Sequence, residues 1–329
     1  MSKIQRSKKH RLRVLVYIWV AVVLLSLLTV ASYTWFALSR TPKVSNMNMY
    51  VNAGAGLQIA QSIDSEQWGQ QLDFLDISGK SAPLRPVTWS ERDQRFYAAI
   101  YGVDGRLTGQ WEPLTDDRNA NKDNLDGYYC MGTFFARSDM NVKVSLAQAA
   151  VSADGHDGHG TYLIGTPVWN AETVSHDNAG VGAECAVRIG IRVTQLDKLG
   201  NPTEDTSVFY IYEPNADGHI DGTTGYTSTP SIDGAEALVS PDRLITQTTT
   251  RWSEAYPIER DVLIYEMGSF DSDPVLFSLE AGEMAKIDLY IWLEGQDVDC
   301  TNQIKDAQIL ANIQMEADVG NQSGMKPIE

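Results

Sequence analysis

An uncharged run near the amino terminus constrains this chain more than any other feature of its sequence. Residues 14–38 read VLVYIWVAVVLLSLLTVASYTWFAL, which is 25 residues without Asp, Glu, Lys, Arg or His. As a helix this run would extend roughly 37 Å, because each helical residue adds about 1.5 Å, and a bilayer hydrocarbon core is about 30 Å thick. The sequence therefore predicts one transmembrane helix over residues 14–38.

The flanks of this run predict its orientation. Residues 1–13 contain six Lys or Arg and no acidic residue, whereas only Arg40 and Lys43 follow closely. Because cationic flanks stay on the cytoplasmic side, we expect a cytoplasmic basic tail at 1–13 and an extracellular β-rich domain at 39–329. A cleaved signal peptide is the alternative to an uncleaved signal anchor, since small residues at 30–32 offer a cleavage point.

The expected exterior is strongly acidic. Removing the six basic residues of the tail takes the formal charge from −17 to −23. Such a surface repels phosphate backbones, so we expect no nucleic-acid partner. Cys130, Cys185 and Cys300 lie far apart in sequence, which is not the pattern of a small disulfide scaffold. One bridge with one thiol and three separate thiols both remain open.

Apolar and polar residues alternate with period two along much of this exterior, which predicts β-strands. The clearest runs are 186–193, 286–293 and 307–315. In each of them one face is expected in the core and the other in water; Arg188 and Arg192, for example, are expected in water. Such one-sided strands are typical of antiparallel sheets. Further strands are predicted at 46–52, 56–61, 96–101, 142–146, 161–169, 207–212, 262–267 and 275–279.

These patterns predict a mainly β fold, an antiparallel β-sandwich with large loops that follows a single transmembrane helix. The NAGAG segment at 52–56 predicts a hairpin turn between the first two strands, because glycine accepts positive φ without steric cost. Polar starts predict short helices at 65–72 and 233–238.

The segment that follows the predicted strand 207–212 resembles a calcium loop. It reads EPNADGHIDGTT from position 213, so that Glu213, Asn215, Asp217 and Asp221 offer oxygen ligands around a glycine bend. Calcium takes six to eight such ligands, which predicts a calcium site here. Position 12 of the loop is Thr224 instead of the bidentate Glu. The alternative is a loop rich in Asp and Asn for local turn reasons.

A second acidic group follows the strand at 286–293. Glu294, Asp297 and Asp299 lie in WLEGQDVDC, directly after Trp292. Three carboxylates at a strand end are suited to a hard cation or to sugar hydroxyl groups beside an aromatic ring. The alternative is again a solvated turn.

The sequence carries no motif of a known catalytic centre. It contains no GxSxG, glycine-rich phosphate loop or HExxH pattern. We therefore expect a protein that is not an enzyme. An envelope hydrolase with paired carboxylates stays as an alternative, because the spacing of such a pair is spatial.

The basic tail, the apolar run, the junction SYTWFALS and the acidic β-rich exterior together resemble surface proteins of Gram-positive bacteria, most of all the camelysin and TasA-type exported proteins. This resemblance implies a β-sandwich, an extracellular structural, adhesive or matrix role, and no catalytic residues. Its expected partners are the membrane, through the helix, and other surface proteins or glycans. The alternative function is a calcium-binding or glycan-binding module at the cell surface.

Overall fold

The computed structural model describes the chain in segments. Two compact units are distinguished, 1–41 with 101–108 and 42–100 with 109–329, and the second contains most of the strands. The described residues are 17, 19, 20, 22, 23, 26, 44–54, 56–73, 84–102, 107–114, 127–148, 160–165, 167–168, 181–182, 186–203, 207–213, 243–251, 265–270, 275–297, 300, 304 and 307–318.

The protein is mainly β. The described strands are β1 (Val44–Ala53), β2 (Gln58–Ala60), β3 (Gln71–Asp73), β4 (Pro86–Ser90), β5 (Arg95–Tyr101), β6 (Leu107–Pro113), β7 (Tyr129–Arg137), β8 (Val142–Leu146), β9 (Tyr162–Gly165), β10 (Pro167–Val168), β11 (Val181–Gly182), β12 (Val187–Leu196), β13 (Val208–Glu213), β14 (Leu244–Arg251), β15 (Tyr265–Phe270), β16 (Val275–Leu279), β17 (Met284–Glu294) and β18 (Ala307–Asp318).

The predicted transmembrane run is described only at positions 17, 19, 20, 22, 23 and 26, which are helical. Among all described residues, no helix is both long enough and apolar enough to span a bilayer.

Most of these strands belong to two sheets. A six-stranded sheet has the order β16-β8-β18-β1-β3, with β9 also paired to β18. A ten-stranded sheet has the order β15-β14-β13-β12-β17-β4-β5-β6, with β7 on β17 and β2 on β7. Most pairings are antiparallel, as predicted. Among the described strands, however, β1 with β18, β13 with β14 and β17 with β4 are parallel, so the two sheets are mixed.

One buried core contains side chains from both sheets, and period-two alternation predicted a part of it. The apolar faces of β12 and β17 are 0–1% exposed at Val187, Ile189, Ile191 and Val193 and at Ile287, Leu289, Ile291 and Leu293. The apolar face of β18 is also buried, at Ile309, Ala311, Ile313 and Met315, as are Val142, Val144 and Leu146 of β8.

The prediction that the opposite faces lie in water is wrong for β17 and for part of β12. Arg188 and Trp292 are 0% exposed, and Tyr290 is 8% exposed. A second core covers this face, because strands β4 and β5 lie over it with their aromatic side chains. That second core consists of Val87, Trp89, Phe96, Ala98, Ile211, Tyr290 and Trp292.

Two local predictions are also wrong. The turn at 52–56 is not a hairpin, because β1 pairs with β18 and β3 whereas β2 pairs with β7, so the chain passes from one sheet to the other there. Gly56 nevertheless has the expected positive φ, 84°. Residues 65–72 end in strand β3 and contain no helix. The predicted helix at 233–238 lies outside the described residues.

The second core leaves no room for a side chain at position 190. A Cβ on Gly190 would lie 2.5 Å from the Phe209 ring and 3.0 Å from the Trp292 ring. Two rings therefore pack directly on the backbone of β12. The absent side chain at position 190 allows the aromatic layer to approach the sheet.

We expect Gly190→Ala to lower the free energy of unfolding by about 1–3 kcal/mol, because the added methyl overpacks a buried aromatic contact. Chemical denaturation measures this loss. Gly69→Ala is the matched control, since a Cβ there meets nothing within 4 Å; it should leave stability unchanged or raise it by up to about 1 kcal/mol. If the loss is steric, adding Phe209→Leu to Gly190→Ala restores part of it.

Candidate functional site

A cluster of polar and charged side chains is buried at one end of the ten-stranded sheet. Strand β12 contributes Arg188, which lies opposite Trp292 in the register of β12 and β17. Strand β13 ends at Glu213, and β17 ends at Glu294, which lies opposite Val87 of β4. Four neighbouring strands thus bring their ends together at this place. The cluster consists of Thr88, Arg188, Glu213, Glu294, Gln296 and Asp297, each no more than 5% exposed.

The guanidinium of Arg188 joins two carboxylates in this cluster. Its Nη2 donates to Glu213 Oε1 at 2.9 Å and to Asp297 Oδ2 at 2.5 Å, and its Nη1 donates to the Val187 carbonyl oxygen at 3.1 Å. The side chains of all three charged residues are 0% exposed. The attraction between opposite charges offsets the cost of removing each of them from water, so removing one partner leaves the other charge buried and uncompensated.

Glu294 lies beside this ion pair and is held by its own hydrogen bonds. Trp292 Nε1 donates to Glu294 Oε2 at 3.0 Å, and the backbone N–H of Gln296 donates to Glu294 Oε1 at 3.1 Å. Burial raises the pKa of Glu294 to about 7, although the positive charge of Arg188 and these hydrogen bonds act in the opposite direction. The carboxyl group therefore titrates near neutral pH.

The turn after β17 is shaped by close packing. The Gly295 N–H donates to the Val87 carbonyl oxygen at 2.8 Å, which ties the turn to β4. A Cβ on Gly295 would lie 2.7 Å from the Trp111 ring and 3.1 Å from the Pro86 side chain. The Asp297 N–H then donates to the Glu294 carbonyl oxygen at 3.2 Å. This backbone path brings Asp297 back onto Arg188.

The structure brings three of the predicted metal ligands into one cluster. Glu213 comes from the predicted calcium loop, and Glu294 and Asp297 come from the second acidic group. The positive charge that Glu213 and Asp297 contact is Arg188 of the same chain. Across the residues that the structure describes, no group of three or more His, Cys, Asp or Glu is arranged to hold a metal ion. Asn215, Asp217, Asp221 and Asp299 lie outside the described residues, so the calcium loop stays a prediction.

Sequence reasoning missed Arg188, the central residue of this cluster. In the AVRIGIRV run it alternates with apolar residues as a water-facing residue does. Its burial depends on the strands β4 and β5, which are distant in sequence and cover that face. The sequence did contain one signal for this residue. Carboxylates follow or end the strands at 213, 294 and 297, and buried carboxylates are stabilised by a nearby positive charge.

A second arginine on β12 lies among aromatic rings. The guanidinium carbon of Arg192 is 5.1 Å from the ring centroid of Phe209 and 5.5 Å from those of Trp89 and Tyr290. Such cation–π contacts are typical of arginine beside aromatic faces. On the same face of β17, Asp288 accepts hydrogen bonds from Thr133 Oγ1 at 2.6 Å and Lys286 Nζ at 3.0 Å. On this face of the ten-stranded sheet, charged side chains therefore pack against aromatic rings or form hydrogen bonds with neighbouring polar groups.

No family model matches this chain, and neither a curated protein nor a solved structure matches it significantly. Any functional assignment therefore depends on the arrangement of the residues themselves. In chemical terms the cluster joins the ends of β12, β13 and β17, and its charged groups lie out of contact with solvent.

Proposed function

We propose that this chain is a surface protein, held in the cell membrane by the helix of residues 14–38, with a β-sandwich exterior that has a structural, adhesive or assembly role and no catalytic role. The uncharged run and the six cations before it support a cytoplasmic amino terminus and an extracellular carboxyl-terminal domain. The single core drawn from both sheets supports the sandwich. The resemblance to the camelysin and TasA-type proteins agrees with this role.

The buried site supports a non-catalytic role. A catalytic carboxylate contacts its substrate, but Glu213, Glu294 and Asp297 are 0%, 1% and 5% exposed and two of them form ion pairs with Arg188. A glycoside hydrolase requires two such groups on either side of a substrate-filled cleft. The same groups are well placed to hold strand ends together. We therefore assign them to the stability of the exterior.

The proposed assembly role rests on the edge of β1 that does not face β18. Strand β1 pairs with β18 from Val44 to Ala53, but among the described strands its other edge is paired only from Tyr50 to Asn52, with β3. For residues 44–49 the structure describes no partner strand on this edge, and we propose that a strand of another molecule pairs there. An edge of this kind accepts a further strand through backbone hydrogen bonds. A second copy of the chain, which carries the same edge, is the partner we propose.

Cross-linking on intact cells tests both parts of this proposal. We expect a membrane-impermeant, amine-reactive cross-linker to modify Lys198 but not the tail lysines at positions 3, 8 and 9, and to produce covalent multimers. Asn48→Lys places a charge on this edge of β1 and should reduce the multimers by roughly half or more, because a lysine on an edge strand opposes further pairing.

Gln61→Lys is the matched control, since it adds one lysine at an exposed position beyond β2 and should leave the multimers unchanged. Modification of the tail lysines with protection of Lys198 would reject export. Modification of Lys198 without multimers would reject assembly while leaving export intact.

A further inference from the structure

An open cleft lies on the outer face of the six-stranded sheet, away from the buried cluster. It has a volume of about 520 Å³ and is lined by Lys143, Ser145, Gln148, Val275, Glu316 and Asp318. These residues come mainly from three neighbouring strands: Lys143 lies opposite Asp318, and Ser145 lies opposite both Glu316 and Val275. A cleft of this size is within the range of sites for small ligands.

Among the described residues, the acidic side chains of this cleft have no partner. On the same face of β18, Asn312 donates to the Gly160 carbonyl oxygen and accepts from Asn52 at 2.6 Å, and Gln314 accepts from the Gly160 N–H at 2.7 Å. Two and four residues further along β18, Glu316 and Asp318 form no hydrogen bond or ion pair within the described chain. Along this face of β18, the side chains before the cleft are hydrogen-bonded, whereas the two carboxylates in the cleft can bind a ligand.

The lining favours recognition by side chains. The backbones of β16, β8 and β18 already pair with one another across the floor of the cleft. A ligand on this floor is therefore recognised mainly by side chains. Donors and acceptors alternate along the lining, with a lysine, a serine, a glutamine and two carboxylates, and Val275 is the one apolar side chain in the described lining. This chemistry is suited to a ligand with many hydroxyl groups.

The net charge of the cleft lining favours a cationic ligand over a neutral one. Two carboxylates and one lysine give the cleft a net negative charge, and Glu316 faces Ser145 in the register, not Lys143. A neutral ligand can donate hydrogen bonds to Glu316 but leaves the negative charge of its carboxylate uncompensated. An ammonium group on the ligand satisfies it through a charge-assisted hydrogen bond.

We propose that this cleft binds a short oligosaccharide of amino sugars, with an ammonium group at Glu316 and hydroxyl groups at Lys143, Ser145, Gln148 and Asp318. The proposal does not depend on export or on strand pairing at β1, because the cleft lies on the sheet face and is tested with purified protein. It gives the exterior a carbohydrate ligand in addition to its proposed structural role.

Calorimetric titration of the full chain in a non-ionic detergent tests this proposal. The probes are a trimer of β-1,4-linked glucosamine at a pH where its amines are protonated, the N-acetylated trimer, cellotriose and trilysine. We expect saturable binding of the glucosamine trimer. The double variant Glu316→Gln, Asp318→Asn should weaken it at least tenfold, on the order expected for the loss of charge-assisted contacts.

The matched control is Glu66→Gln, which removes one exposed carboxylate outside the cleft and should leave the affinity unchanged. Unchanged unfolding midpoints verify that both variants are folded. Equal affinity for cellotriose or the N-acetylated trimer overturns the ammonium assignment, and tighter binding of trilysine overturns the sugar assignment. If no probe binds saturably, or if the double variant binds as the unmodified protein does, the site itself is rejected.

Discussion

Replacing Arg188 by Met will lower the free energy of unfolding by about 3–5 kcal/mol, the range measured when one partner of a buried ion pair is removed. The guanidinium contacts Glu213 and Asp297, and all three side chains are 0% exposed. Methionine fills a similar volume but supplies no charge and no donor. Two carboxylates would then remain in a buried site without the cation that stabilises them.

Urea denaturation followed by intrinsic fluorescence measures this loss as a lower midpoint at an unchanged slope. Arg92→Met is the matched control, because the ion pair of Arg92 with Asp93 is solvent-exposed, with the Arg92 side chain 54% exposed. Exposed pairs contribute about 0–1 kcal/mol, so the control should change little. A loss for Arg188→Met no larger than that of the control would contradict the role we give to the cluster.

A second variant separates the loss of charge balance from the loss of packing. Removing the carboxylates together with the guanidinium, by Arg188→Met with Glu213→Gln and Asp297→Asn, should recover a large part of the stability, because neutral groups are less costly to bury than unpaired charges. Stability that stays at the level of the single variant would show that packing around Arg188 is what matters.

The strands that alternation predicted best are those with one apolar face. Strands β8 and β16 were predicted with their observed bounds, 142–146 and 275–279, and the core faces of β12, β17 and β18 were also predicted. Strand β7 was missed although it pairs with β17 along nine residues. Its outward side includes Met131 and Phe135 beside polar residues, so its two faces have similar hydropathy. Strand β4 was missed because it is short and buried throughout.

The carboxylates of the candidate site were predicted from the sequence, but its arginine was not. Carboxylates at strand ends are visible in sequence, and three of those singled out, Glu213, Glu294 and Asp297, do lie in one buried cluster. Period-two alternation does not predict which other strands cover the outer face of a strand. The strands β4 and β5 cover the outer face of β12 and β17 from about 90 residues away or more along the chain, and this long-range contact turned Arg188 from an expected surface residue into a buried one.

Stability will also fall as pH rises from about 4.5 to about 7, and Glu294 is the cause. Its pKa is raised by burial from 4.5 to about 7 in the folded protein. Within this window the folded state retains a proton that the unfolded chain has lost. The contribution of Glu294 is thus fully present below pH 4.5 and lost as pH approaches 7, by about 1.4 kcal/mol per pH unit and about 3 kcal/mol in total.

The measurement is the free energy of unfolding across this pH range for the unmodified protein and for Glu294→Gln, which stays neutral throughout. Asp93 and Asp197 oppose the trend at lower pH, because hydrogen bonds from Tyr97 and from the backbone N–H of Asn201 lower their pKa values. Both groups are present in the two proteins, so the difference between the profiles isolates position 294.

We expect the difference in the free energy of unfolding between the two proteins to change by about 3 kcal/mol between pH 4.5 and 7, favouring the variant at the higher pH. Parallel profiles would mean that Glu294 titrates alike in the folded and unfolded chains, contrary to its burial beside Trp292.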